Sequence, residues 1–239
     1  MKFFRKSRQQ SVRFSKFKKY VLYATGEIIL VVTGILIALY VNNKNQESHI
    51  EKESIELLKV LKSNIQKDIF EINQIISEYD MIEMSIAKVT LTPDDEIVSD
   101  CEDCLQLIYY FSFPEVSGRT IYNLDKIKVA DDGLNRTLTD LEIDYTSFIK
   151  VSDLYIDYSR ELIDRNMRQL LEDHDWFRNY LNNGVCNNEC QDYISSSMDF
   201  RNRVAYIDLI IYNAYQYDMF EHRAKLCKHL NSLEVFTEY

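Results

Sequence analysis

The stretch at residues 20–41 constrains this chain more than any other. It is apolar almost throughout, and Glu27 is its one charged residue. About twenty residues at a rise of 1.5 Å match the roughly 30 Å hydrocarbon core of a bilayer. A transmembrane helix is therefore expected, and it says where the protein sits before anything says what it does.

Charge sets the expected orientation. Lys2, Arg5, Lys6, Arg8, Arg13, Lys16, Lys18 and Lys19 precede the span with no acid among them; Asn42, Asn43, Lys44 and then a mixed segment from Glu47 come after it. The positive-inside rule keeps residues 1–19 as a basic cytoplasmic tail and exports residues 42–239. A cleaved signal peptide would also start basic. Its apolar core would be shorter, and Ala38-Leu39-Tyr40 fits a cleavage site poorly, so an uncleaved signal anchor is the expectation. Phe14, Phe17, Tyr20 and Tyr23 near one interface and Tyr40 near the other suit amphipathic rings at headgroup level.

The exported part is about 200 residues, enough for one domain with a sizeable core. The whole chain carries -10, and its first 41 residues hold eight Lys/Arg and one Glu, so residues 42–239 carry -17. Such a surface excludes non-specific binding to nucleic acid or to an anionic membrane face. Five Gly and two Pro in 239 residues leave little punctuation, which argues for long helices.

The hydrophobic pattern bears this out along the chain. Ile50, Ser54, Leu57, Leu61, Ile65, Ile69, Ile72, Ile76, Tyr79, Ile82 and Ile86 form one stripe with a helical period of about 3.6. The membrane helix is expected to run on into an amphipathic helix of about 45 residues, some 65 Å long, packed in a bundle rather than a long left-handed coiled coil. Thr92-Pro93-Asp94-Asp95 ends it. Short helices are expected at 102–111, capped by Ser99 or Asp100, and at 119–129, with a turn at 130–133. A second long helix runs from Asn135 to about Leu181, with a bend near His174 and a stop at Gly184. A third pattern links Phe200, Val204, Ile207, Ile211, Tyr215, Phe220, Leu226, Leu230 and Leu233. It is no second span, because Arg203, Asp208 and Asp218 would be costly in lipid. The expected fold is all-α: one N-terminal transmembrane helix continuing into an antiparallel periplasmic helical bundle of three long and two short helices.

Lys2-Phe3-Phe4-Arg5-Lys6, then Gly26-Glu27-Ile28-Ile29-Leu30-Val31-Val32, Gly34-Ile35-Leu36-Ile37-Ala38-Leu39 and Asn42-Asn43, carry a resemblance. This opening resembles that of a bacterial family of single-span membrane proteins, domain-of-unknown-function family 6090. The likeness is densest over residues 2–43. A weaker echo lies in Arg119-Thr120-Ile121-Tyr122-Asn123-Leu124, similar to the family's mid-chain Thr-Tyr-x-x-Leu segment. The chain departs where the family carries Trp after the paired Asn, having Lys44 instead. The resemblance implies a Gram-negative inner membrane and a periplasmic domain. It implies no activity.

Candidate site residues fall in three groups. Glu27 is an acid in the cytoplasmic half of the span. It either snorkels to the interface, neutral or paired, or serves an ion or proton relay between packed helices. Single-span stator proteins of ion-driven motors share this layout of basic tail, intramembrane acid and periplasmic domain. Gly26, Leu30, Gly34 and Ala38 form an i+4 row of small residues that would let a second membrane helix approach closely. Cys101, Cys104, Cys186 and Cys190 would sit in an oxidising compartment, where disulfides are the default. Bridges between the two pairs, or a local Cys186–Cys190 bridge, are both open. A four-Cys zinc site and a redox Cys101-x-x-Cys104 are alternatives, the latter without a thioredoxin-like βαβ pattern around it.

His222 and His229, seven residues apart, share a helix face with a metal-ligand spacing that core-edge histidines show far more often. The 17 Tyr read as core and groove residues. No phosphate loop, nucleophile–base set or distinctive carboxylate pair is present in the sequence, so no catalytic residue, metal or cofactor is expected and the chain is not expected to be an enzyme. Two functions are consistent with these readings. One is a membrane-anchored scaffold, sensor or accessory subunit acting through self-association or a partner membrane protein. The other is a subunit of an ion-conducting or motor-like complex that uses Glu27.

Overall fold

The computed structural model describes residues 3–237 except 94–95, 99–100, 102, 117, 119 and 123, with side chains from residue 20 to 236. Every element among them is helical, and no strand occurs. Helix α1, Phe3–Leu91, carries the apolar stretch near its N-terminus. The chain forms two compact units, Met1–Glu53 and Ser54–Tyr239. In the first, nearly every described side chain is exposed. The second has its own core.

Within the second unit, α1 ends at Leu91, just before Thr92-Pro93, as the punctuation requires. Its buried stripe is Ser54, Leu58, Leu61, Ile65, Asp68, Ile72, Ile76, Tyr79, Ile86 and Val89. The expected stripe holds only in part: Leu58 and Asp68 are inside in place of Leu57 and Ile69, which are half-buried, Ile82 is half-buried too, and Ile50 is exposed. The observed spacing is close to 3.5, the period that keeps one seam of a helix against its neighbours.

The two short helices expected at 102–111 and 119–129 do not form. Only two 3₁₀ turns remain, Cys104–Ile108 and Leu124–Lys126. Ser99 and Asp100, the expected caps, lie outside the described residues. Apart from the turn at Leu124–Lys126, the described residues between Tyr109 and Asp131 form a non-helical strap that returns along α1. Tyr79 donates to the Ser112 carbonyl (2.7 Å), Thr120 donates to Asp68 (2.8 Å), and Ser54 both donates to and accepts from the Lys128 backbone (3.0 Å each). Sixteen strap residues therefore span twenty-five of α1. At 1.5 Å per helical residue that is about 37 Å, or roughly 2.3 Å per strap residue, more than any helix can cover. The need to span that distance is what overrides local helical propensity here.

Helix α2, Asp132–Asp173, starts inside the stretch expected as a turn, with Asp131 as N-cap accepting from Leu134 N (2.8 Å). The bend expected near His174 is the break between α2 and α3, Asp175–Asn183. Gly184 closes α3 at φ 67°, a left-handed position where a side chain would be strained. Helix α4, Asn188–Ser196, is an addition to the expected elements; it is capped by Asn187. The last long pattern is α5, Met198–Ile207, a π-helical stretch, Asp208–Tyr215, and α6, Gln216–Thr237. The wide π turn admits both Ile211 and Tyr212 to the core. Met219, four residues after buried Tyr215, is buried, and Phe220, an expected core residue five residues after it, is 39% exposed.

Contacts fix the directions. Arg223 reaches Asn73 and Gln216 reaches Asp80, so α6 runs antiparallel to α1. His229 meets Asp144, Tyr215 meets Ser152 and Arg203 meets Asn166, so α5 and α6 also run antiparallel to α2. Helices α1 and α2 thus run the same way. The expected antiparallel bundle of long helices is corrected: the alternation holds only because the strap takes the second place.

At the end of the unit that holds the C-terminus of α1, Arg201 on α5 is 6% exposed. Its guanidinium donates to the carbonyls of Thr92 (2.8 Å), Pro93 (2.9 Å) and Glu96 (2.6 Å). Val98 N donates to Ser195 O (3.1 Å) beside it. A guanidinium is suited to this because its planar fork carries several donors. Arg201→Ala removes the buried guanidinium that ties α5 to the segment after α1 and is expected to destabilise the protein by about 3 kcal/mol in urea unfolding. Arg201→Lys should recover little, because an ammonium cannot span the set.

Candidate functional site

Glu27, Gly26, Leu30, Gly34 and Ala38 all lie on α1 in its exposed N-terminal part. A Cβ added at Gly26 or Gly34 would meet nothing within 4 Å. This is the one stretch among the described residues long and apolar enough to cross a membrane, and none of it is buried within the chain. The chain by itself gives Glu27 no hydrogen bond or ion pair with a described residue. The small-residue row likewise has no intramolecular partner.

Each cysteine pair is joined locally, Cys101 to Cys104 and Cys186 to Cys190, with Cα atoms 5.2 and 5.3 Å apart. The sulfurs are not exchanged between pairs, although the Val98–Ser195 contact ties the two segments together. Cys227 is a free, exposed thiol on α6. Among the described residues no group of three or more His, Cys, Asp or Glu is placed to hold a metal.

The densest chemistry lies inside the helical unit. Asp68 is 4% exposed in the middle of α1's inner stripe. It accepts from Thr120 of the strap (2.8 Å) and from Tyr145 of α2 (2.7 Å). One carboxyl group thereby joins three segments. Burial, with Asp68 alongside, raises the Tyr145 phenol well above its ordinary range, so Tyr145 stays a donor.

Beyond Tyr145 the rings continue. His222 of α6 stacks on Phe148 (4.0 Å between centroids) and meets Tyr145 edge-on (5.3 Å). Tyr215 lies near Phe148, Phe113 and Tyr155, and its hydroxyl bonds Ser152 (3.0 Å). Tyr79 packs edge-on against Tyr212 (4.8 Å). Burial raises Tyr79 and Tyr212, and pushes Tyr215 up to about 12. His222 and His229 do not converge on a common point. His229 bonds Asp144 (2.7 Å), which Lys225 also approaches (3.5 Å), whereas His222 Nε2 is buried with no hydrogen-bond partner among the described residues.

The sequence singled out the two histidines and the tyrosines but missed Asp68 and Asp144. Asp68 is hidden among polar residues one position from the expected stripe. The available signal is Ile65-x-x-Asp68-x-x-x-Ile72, an acid at a core spacing. Asp144 belongs to the rim of α2, and nothing local distinguishes it from a solvated acid.

His222 gives this seam a pH dependence. Burial pushes it down to about 4, outweighing the pull of Asp144. Since the unfolded chain titrates near 6.5, the unfolded state takes up the proton first as pH falls. His222 thus contributes its full stability above about 6.5 and loses it progressively towards 4. The loss between pH 7 and pH 5 is expected to be about 2 kcal/mol. Urea unfolding at the two pH values measures it. His222→Phe, which keeps the stack, should flatten the difference, and an unchanged difference would exclude His222 as its source.

Comparison with known proteins places the chain. The pattern of the Family of unknown function (DUF6090) matches residues 27–210. The match begins at Glu27 within the apolar stretch and runs through α2 to the π turn, well beyond the opening that carried the resemblance. No curated protein and no solved structure matches the chain. With more than half of its length matched, the chain belongs to the DUF6090 family.

Proposed function

We propose that this protein is a single-pass membrane-anchored helical module of the bacterial inner membrane, with its N-terminus cytoplasmic and its helical domain periplasmic. It works as a scaffold, sensor or accessory subunit through self-association or a partner membrane protein. The observation that carries the reading is the division of labour along α1. Its apolar part finds no cover within the chain, while its later part is built into a self-sufficient core. The basic residues before the span favour the orientation. Two local cystine bridges fit an oxidising compartment. The row Gly26, Leu30, Gly34 and Ala38 offers a close-packing seam for a second helix.

The mass of the detergent-extracted complex, by light scattering or native mass spectrometry, tests this reading. A homo-oligomer or a co-purifying membrane partner is expected. Gly34→Ile should dissociate a homo-oligomer, and unchanged cross-linking in that variant would sink the seam. Thiol alkylation before and after reduction should find only Cys227 reactive in the native protein; free thiols at all five positions would count against export.

A second reading rests on Glu27. An acid in an otherwise apolar span is costly unless a protein-lined or wet environment receives it. Spans assembled around it would form part of an ion-conducting or motor-like complex. Glu27→Gln separates the two readings. Loss of function with assembly intact favours conduction, and no effect favours the anchored module.

A further inference from the structure

Within the helical unit, α1 presents a second regular seam on the side away from the core. Val60, Lys67, Gln74, Met81 and Lys88 recur every seven residues. Ser63, Phe70, Ser77, Met84 and Leu91 recur every seven between them. The two sets alternate in steps of three and four, as the a and d positions of a left-handed coiled coil do. Every residue of both sets is exposed, and Phe70, Met81, Met84 and Leu91 are 60–78% exposed. A large apolar side chain alone on a surface is ordinary, but several in register on one helix seam mark a contact face.

Charge is the independent feature. The chain carries -10 overall, yet this seam holds Lys67 and Lys88 and no acid. Acidic chains repel one another wherever carboxylates face carboxylates. In a parallel coiled coil, each residue just before an a position faces the residue five further on in the other strand. The charged residues at those flanks, Lys59, Glu71, Glu78 and Asp80, all face a neutral Asn, Gln or Ser of a second copy. The neighbours of α1 also leave the seam open. Helix α6 bonds α1 beside it, at Asn73 and Asp80, and the strap bonds α1 on its other side, at Glu78.

We propose that a second copy of this chain docks on the seam, α1 against α1 in parallel, as a two-stranded coiled coil from Val60 to Leu91. Each seam residue then meets its own counterpart across a two-fold axis along the helices, so the pair closes as a dimer. Phe70 and Met84 form apolar layers with their counterparts. Lys67 and Lys88 lay their apolar stems along the seam and carry their charge to its edge. Lysines in such layers lower the stability of a coiled coil but hold it to one register and few strands. The inference rests on the self-associating, anchored reading, in which both copies enter α1 from one membrane and so run it in the same direction.

Same-residue cross-linking tests this in membranes holding the full-length protein, with Cys227→Ser as the background. Ser63→Cys and Ser77→Cys, each at an exposed position, set a thiol opposite its own counterpart. With copper phenanthroline and air as oxidant, both should give a disulfide-linked dimer. Thr139→Cys, exposed on α2, should give none. Phe70→Glu with Met84→Glu, added to Ser77→Cys, should cut the linked dimer about ten-fold with the circular dichroism of the purified protein unchanged. Met84→Glu alone should act in the same direction if the double variant folds poorly. Equal linking at Thr139→Cys, no linking at Ser63→Cys and Ser77→Cys, or linking that survives the glutamates would overturn the proposal. The mass of the Gly34→Ile variant in detergent reports the span separately, so the seam can fail while the anchored module stands.

Discussion

A carboxyl group in the centre of an apolar interface dominates this fold. Asp68 occupies a core position of α1 with Ile65 and Ile72 on either side of it. A buried carboxyl group is tolerated only when its oxygens are engaged, and leaving one unmet costs several kcal/mol. Thr120 and Tyr145 supply donors from two other segments. That requirement fixes the register of α1, the strap and α2 together. A strap shifted by one residue, or an α2 rotated by one position, would strand the carboxyl group. Apolar contacts alone tolerate such slips far more readily.

The strap is a consequence of the same geometry. Helices α1 and α2 run in one direction, so the chain must travel back along α1 before α2 can start. As an α-helix the sixteen residues from Ser112 to Lys128 would cover only about 24 Å of the roughly 37 Å between their contacts on α1. The non-helical segment covers it with few internal hydrogen bonds, so its backbone and hydroxyl groups turn to Ser54, Asp68, Glu78 and Tyr79 of α1. The density of polar side chains along α1's flank is the counterpart of a non-helical neighbour.

The aromatic interior fills what remains. Small residues on α2, Ser152 and Ser159, are buried in the same interior as the large rings, and the π turn brings Tyr212 and Tyr215 inward together. Wide turns of this kind cost hydrogen-bond geometry and persist where packing rewards them. Here the reward is contact with Tyr79, Phe113, Phe148 and Tyr155. The exposed apolar stretch of α1 stays outside this core. The DUF6090 match takes in both, from Glu27 to Ile210.

Some of this was legible in the chain itself. An apolar run flanked by basic residues, the end of α1 before Pro93, the break at His174 and the stop at Gly184 are local matters, set by side-chain polarity, the missing proline N–H and a left-handed backbone position. The helix class came from the scarcity of Gly and Pro and from apolar periodicity. Tertiary structure decided the rest. The stretch from Ser112 to Lys128 is drawn out by the distance between its contacts on α1. Phe220, five residues after Tyr215, falls off the core face, and Met219, four residues after it, takes the place. Asp68 became an interior residue only when Thr120 and Tyr145, distant in the chain, met it. Local propensity is worth a few tenths of a kcal/mol per residue, whereas engaging or stranding one buried polar group is worth several times that.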